Sequence, residues 1–146
     1  MKYLIFDISN VLYRTYFASA VQDIDTASGM ALHMAFNTLM KYYKQVKPDR
    51  VVMTFDRSSW RKQYTASDDC LSKLPYKGNR RKDMTPSQLE RFKAFLEHLK
   101  EFETMIRNYT TVIALGADLL EADDCMGGWV ISHPDDEHVI ITTDSD

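Results

Sequence analysis

Hydrophobic positions along this chain keep two rhythms. Short apolar runs at residues 3–6, 51–55, 111–115 and 139–143 are too short for helices and predict buried β-strands. Between them lie segments whose apolar residues recur three and four apart. Over residues 29–46, Leu32, Ala35, Phe36, Leu39, Met40 and Tyr43 predict a helix with one buried stripe, ended by Lys47, Pro48 and Asp49. Thr85 and Pro86 supply the N-cap and first position of another helix, whose apolar face is Leu89, Phe92, Phe95, Leu96, Leu99 and Phe102. Residues 121–132 predict a further helix with Cys125, Met126 and Trp129 in the core, and a helical stretch is expected after the first strand. Strand and helix alternate, so the expected fold is α/β, a mostly parallel sheet flanked by helices, in one domain over residues 1–146.

That topology gives the acidic residues a shared address. Asp7, Asp56 and the pair Asp144 and Asp146 follow predicted strands, while Glu121, Asp123 and Asp124 open a predicted helix. Strand C-termini of a parallel sheet lie at one edge, where such folds bind ligands. At ~100° per residue Glu121 and Asp124 share a helix face and Asp123 turns away, although in a first turn all three can converge. Acids at a helix N-terminus have a bland explanation, since each complements the helix dipole by about 0.3–1 kcal/mol. Seven converging carboxylates would repel one another, however, and cations would relieve that repulsion. The donors are all oxygen, with no His or Cys, which favours Mg²⁺ or Mn²⁺ over Zn²⁺. Two such ions about 3.5–4 Å apart would suit in-line displacement at phosphorus.

Charge adds a second element. The net charge of −3 divides into +6 over residues 57–82 and −9 elsewhere. Residues 57–84 show no clean period and are too long for an ordinary connection, which predicts a functional loop, partly helical. Within it Trp60, Arg61, Lys62 and Tyr64, then Tyr76, Lys77, Arg80, Arg81 and Lys82, interleave aromatics with cations, the combination that phosphates and unpaired bases want. A merely solvated basic loop is the alternative for either run taken alone. Lys77 or Arg80 is expected to reach a scissile phosphate, and Tyr76 to stack on a terminal base.

A hydrophobic content of 45% with 27% charged residues is ordinary for a soluble protein. No apolar run approaches the ~18–20 residues of a membrane span, so no membrane role and a cytoplasmic setting are expected. Cys70 and Cys125 lack CxxC spacing and are expected to be reduced.

Five segments resemble, in order and approximate spacing, the 5′-nuclease family of phage 5′→3′ exonucleases, flap endonucleases and the 5′-nuclease domain of bacterial DNA polymerase I. They are Asp7-Ile-Ser-Asn10 with Arg14, Phe55-Asp56, Tyr76-Lys-Gly-Asn-Arg80, Glu121-Ala-Asp-Asp124 and Thr143-Asp-Ser-Asp146. Ser59-Trp-Arg-Lys62 is similar to phage members in particular. The resemblance implies a PIN-like fold with a helical arch over residues 57–84. It implies two divalent ions, one served by Asp7, Asp56, Glu121 and Asp123 and the other by Asp124, Asp144 and Asp146, with Lys77, Asp7 and Asp124 catalytic. Arg14, Trp60, Arg61, Lys62, Tyr76, Lys77, Arg80 and Arg81 would bind nucleic acid. The implied substrate is DNA with a free 5′ end or flap, or an RNA–DNA hybrid, handled by a monomer alongside replication proteins, in the host cytoplasm if phage-encoded.

Ile8 departs from the family pattern, standing where many relatives carry Gly. Relatives also continue beyond the position of Asp146 into a further carboxylate and a helix-hairpin-helix element, so the expectation is an N-terminal catalytic part with reduced activity alone. Two rivals remain at this stage. Phe6-Asp-Ile-Ser-Asn-Val-Leu12 also resembles the opening of haloacid-dehalogenase-like phosphatases, although Ser9 stands where their second Asp belongs. A non-catalytic nucleic-acid-binding fragment is the other.

Overall fold

The computed structural model describes residues 1–19, 23–68, 70–71, 74–77 and 84–143. Its sheet has four parallel strands, β1 (Lys2–Asp7), β2 (Arg50–Thr54), β3 (Ile113–Leu115) and β4 (Glu137–Ile141), in the order β3-β2-β1-β4. Among the described residues five helices join them: α1 (Ile8–Ala18), α2 (Ile24–Val46), α3 (Trp60–Thr65), α4 (Pro86–Tyr109) and α5 (Ala122–Ser132). The α/β reading and the parallel sheet agree with the sequence expectation.

Continuous apolar runs suit strands covered on both faces. Alternate residues of the central strands enter two cores. Leu4, Phe6, Val51, Met53 and Phe55 face α1, α2 and α4, while Tyr3, Ile5 and Val52 face α5 through Met126, Trp129 and Val130. Leu4, Ile5, Phe6 and Val52 are completely buried.

Two helix stripes differ from the expected ones. Helix α2 begins earlier, because the Asp23 carboxylate accepts from the Thr26 N–H and caps it. Its buried seam is Ala27, Ala31, Ala35 and Leu39, an i, i+4 row of mostly small residues that lets the helix approach its neighbours closely. Phe36, Met40 and Tyr43, assigned to the stripe from spacing, are exposed. Helix α4 has the expected Thr85 cap and Pro86 start, with Gln88 completing a capping box. Its buried residues are Phe95, Leu99, Phe102, Glu103 and Ile106, whereas Leu89 and Leu96 are exposed. Hydrophobicity alone ranked these positions; the direction of approach of α1 and the sheet chose among them. Lys47 closes α2 in the left-handed region, its N–H donating to the Tyr43 carbonyl, where the Lys-Pro-Asp break was expected.

The connection after β3 positions the site. A Cβ on Gly116 would lie 3.1 Å from the Phe55 carbonyl oxygen, a tight contact that glycine avoids where this segment runs beside the exit of β2. The two segments then zip together: the N–H groups of Phe55, Arg57 and Trp60 donate to the carbonyls of Leu115, Leu120 and Leu119. The start of α5 is thereby set beside Asp56, with α3 over it.

Candidate active site at the carboxyl edge of the sheet

Asp7 ends β1 and caps α1. Its Oδ1 accepts from the Asn10 N–H at 3.1 Å and its Oδ2 from the Thr142 hydroxyl at 3.3 Å. The residue is only 3% exposed. Burial pushes its carboxyl up to about 6, the negative charges of Asp56 and Asp123 adding to the effect against the pull of the Asn10 N–H. Asp56 follows β2 and is oriented from both sides. Its N–H donates to Ser9 Oγ at 2.9 Å, and its Oδ1 accepts from the Ala122 N–H, in the first turn of α5, at 2.7 Å. Asp123 lies exposed in that same turn. Arg14 donates to the Thr143 carbonyl at 2.8 Å and the Thr143 hydroxyl donates to Asn10, tying the exit of β4 to α1. Asp144 and Asp146 lie outside the described residues.

Glu121 and Asp124 form the other half of this edge. Glu121 is the N-cap of α5, and its N–H donates to Asp124 Oδ2 at 3.1 Å in a capping-box arrangement. Arg61, from α3, straddles both. Its two terminal nitrogens donate to Asp124 at 2.7 and 2.8 Å, and one of them also to Glu121 at 3.1 Å. Lys77 Nζ reaches Glu121 Oε1 at 2.5 Å, while the hydroxyls of Ser59 and Tyr76 each donate to Oε2 at 2.9 Å. The Arg61 hydrogen bonds hold the Asp124 carboxyl below its ordinary range. Burial would raise Glu121, but hydrogen bonds from Lys77, Ser59 and Tyr76 outweigh it and hold that carboxyl low as well. Lys77 is raised, since Glu121 and Tyr76 overcome the cost of its partial burial.

The basic segment is thus laid against the acids. Arg61 stacks over Trp60 and Lys77 over Tyr76, each with 5.0 Å from cation to ring centroid. Trp60 and Lys62 are exposed. Residues 80–82, and with them Arg80 and Arg81, lie outside the described residues. At the root of the segment Arg57 pairs with the buried Glu103, which Arg107 also holds at 2.7 Å. Pattern reading missed Glu103, because it sits in the buried seam of α4 among apolar neighbours. It also missed the orienting roles of Ser9, Ser59 and Thr142; the one local signal was Ser59, placed to cap α3.

The donor set is carboxylate oxygen throughout, suited to a hard divalent cation, and burial together with the neighbouring Asp56 and Asp123 disfavours the charged form of Asp7. Among the described residues no three acids, histidines or cysteines are drawn together closely enough to hold an ion as they stand. Glu121 and Asp124 turn to Arg61 and Lys77 instead.

Known proteins share this architecture. The bacteriophage T5 5′-exonuclease, solved with bound zinc, superposes with a TM-score of 0.70 at 19% identity, covering 99% of this chain and 49% of that one. The bacteriophage T5 D15 flap endonuclease, solved as a pseudo-enzyme–product complex with DNA and metal ions, gives 0.65 at 19% identity over 99% and 50% of the two chains. DNA polymerase I of Caldicellulosiruptor bescii is 32% identical over 90 residues, which are 52% of this chain and 10% of the polymerase. The chain spans about half the length of these solved structures and a tenth of the polymerase. A family described as the 5′-3′ exonuclease N-terminal, resolvase-like domain matches residues 2–146, and the chain belongs to that family.

Proposed function

We propose that this chain is the N-terminal catalytic part of a divalent-metal-dependent 5′-nuclease, a 5′→3′ exonuclease and structure-specific flap endonuclease. It acts on DNA with a free 5′ end or 5′ flap. RNA–DNA hybrids, which present the same 5′ phosphodiesters, are a second substrate class, and primer removal during replication in the cytoplasm is the setting they imply. The observation that carries the reading is the juxtaposition of an acidic sheet edge with a basic, aromatic segment docked on it. An acidic site alone would repel a polyanion, so capture of the backbone requires cations at its lip.

Asp7, Asp56 and Asp123 would hold one Mg²⁺ or Mn²⁺ ion; Glu121, expected with them but joined to Asp124 through Arg61, would serve a second with Asp124, Asp144 and Asp146. Bound there, the ions supply activated water and neutralise charge on the scissile phosphate. Asn10 and Thr142 hold the Asp7 oxygens, and Ser9 holds the backbone of Asp56, so the orientation of these two carboxylates is supported from outside the ligand set. Lys77, at the lip beside Glu121, offers its ammonium to the phosphate, and the Tyr76 ring beneath it offers a face to the terminal base.

The test is a 5′-flap DNA labelled at either end, incubated with Mg²⁺ and with chelator, beside a small phosphate ester. Short 5′ products that need Mg²⁺ are expected. Salt-sensitive flap binding without cleavage would reduce the chain to a binding module, and turnover of the small ester alone would replace the nuclease by a phosphatase.

A further inference from the structure

Arg61 uses the same carboxylate oxygens that a metal ion would need. It takes both oxygens of Asp124 and one of Glu121, a bidentate geometry that a guanidinium matches and a lysine does not. Its anchor is slight. Helix α3 has six residues, none of them buried, capped by Ser59, whose hydroxyl accepts from the Arg61 N–H while donating to Glu121. The guanidinium is about one-third exposed and stacks on Trp60, so it can leave the carboxylates for solvent, and its departure changes the surroundings of the Trp60 ring. Lys77 and Tyr76 close on the same Glu121, and the Tyr76 N–H donates to Thr65 at the end of α3. One short helix and the 76–77 segment therefore share a single acidic anchor.

We propose that Arg61 is a metal-exchanged latch: without a divalent ion it occupies the Glu121–Asp124 half of the edge and pins the basic segment there, and an ion entering that half displaces it. The inference rests on the metal-dependent reading above and adds to it a regulatory consequence. Released, Arg61 and Lys77 join the already exposed Lys62 as cations available to phosphate, so metal loading and backbone capture are one linked equilibrium. Linkage is reciprocal: whatever holds Arg61 on the acids weakens metal binding by the same factor. An unloaded protein keeps its cations folded onto itself, and a loaded one presents them.

The experiment is calorimetric titration of the whole chain with Mn²⁺ alone, for wild type, Arg61→Gln and Arg61→Lys, with circular dichroism as the check on folding. A parallel titration follows Trp60 emission in a Trp129→Phe background, which leaves one of the two tryptophans. Arg61→Gln is expected to bind Mn²⁺ about tenfold tighter. Arg61→Lys, keeping charge without the bidentate fork, is expected between the two. Trp60 emission is expected to change with metal in wild type and to stay constant in Arg61→Gln. If Arg61→Gln fails to fold, the Arg61→Lys comparison and the wild-type Trp60 signal decide by themselves. Equal or weaker binding in the variants, or a Trp60 signal untouched by metal, overturns the latch while leaving the metal reading standing. Absence of Mn²⁺ binding in every form overturns the metal reading and the latch with it.

Discussion

Asp7 and Asp124 stand at the same edge of the same sheet, and their carboxyl groups are pushed in opposite directions. Asp7 is buried among other acids and rises to about 6. Asp124 accepts two hydrogen bonds from a guanidinium and falls below its ordinary range. The residue type is the same, and the difference comes from burial at Asp7 and from the paired guanidinium at Asp124. One half of the edge carries charge awaiting a cation; the other has borrowed one from the chain's own basic segment. Carboxyls of one cluster thus need not shift together, because burial and pairing act on each separately.

Activity should treat the two halves alike while stability separates them. The largest expected effect is on cleavage: Asp7→Asn and Asp124→Asn each lower the flap-cleavage rate by about a hundredfold or more, as loss of charge at a preorganised electrostatic site does. Normal turnover in either variant, measured in Mg²⁺, would exclude that residue from the chemistry.

In chelator the pair diverges. The folded-state value for Asp7 lies above the unfolded 3.8, so its contribution to stability is complete below pH 3.8 and is lost as pH rises through about 6. Asp7→Asn should therefore stabilise the metal-free protein at pH 8 by about 1–3 kcal/mol, a gain that vanishes near pH 4. Asp124 has the opposite sign: its pairing contributes above the unfolded value and is lost as pH falls through the lowered one. Asp124→Asn should cost about 1 kcal/mol at pH 8, discounted because Arg61 is one-third exposed. Urea titrations at pH 4 and pH 8 measure both.

Glu103 offers a third carboxylate, buried like Asp7 but fully paired with Arg57 and Arg107. Glu103→Gln should destabilise by about 2 kcal/mol, because both arginines lose their partner and are themselves partly exposed. A neutral result would mean that burial alone, without pairing, governs acids in this fold. The smallest effect is expected at Gly116. An added Cβ meets Phe55 at 3.1 and 3.3 Å, so Gly116→Ala should cost about 1 kcal/mol. By shifting α5 relative to Asp56 it should also slow cleavage, which the same two assays read.

How much of this was legible beforehand follows from what sequence encodes locally. Runs such as Tyr3 to Phe6 and caps such as Thr85 with Pro86 carry their own signal, so the strands, the helices and the parallel sheet could be read in advance. Which stripe of α2 and α4 is buried depends on the helices' neighbours, and spacing could not choose between Ala31 and Phe36. Asp7 and Asp56 at strand ends were visible because the topology forces them to one edge. That Arg61 and Lys77 would turn inward onto Glu121 and Asp124 was not visible, since opposite charges 44 to 63 residues apart leave no local trace.

A divalent ion at this edge should relieve the raised carboxyl of Asp7. The decisive comparison is thermal unfolding of wild type and Asp7→Asn at pH 8, each in chelator and in Mg²⁺. Asp7→Asn is expected to melt higher than wild type in chelator, and Mg²⁺ to raise the wild type far more than the variant. A variant that melts lower in chelator, with a wild type indifferent to Mg²⁺, would contradict it.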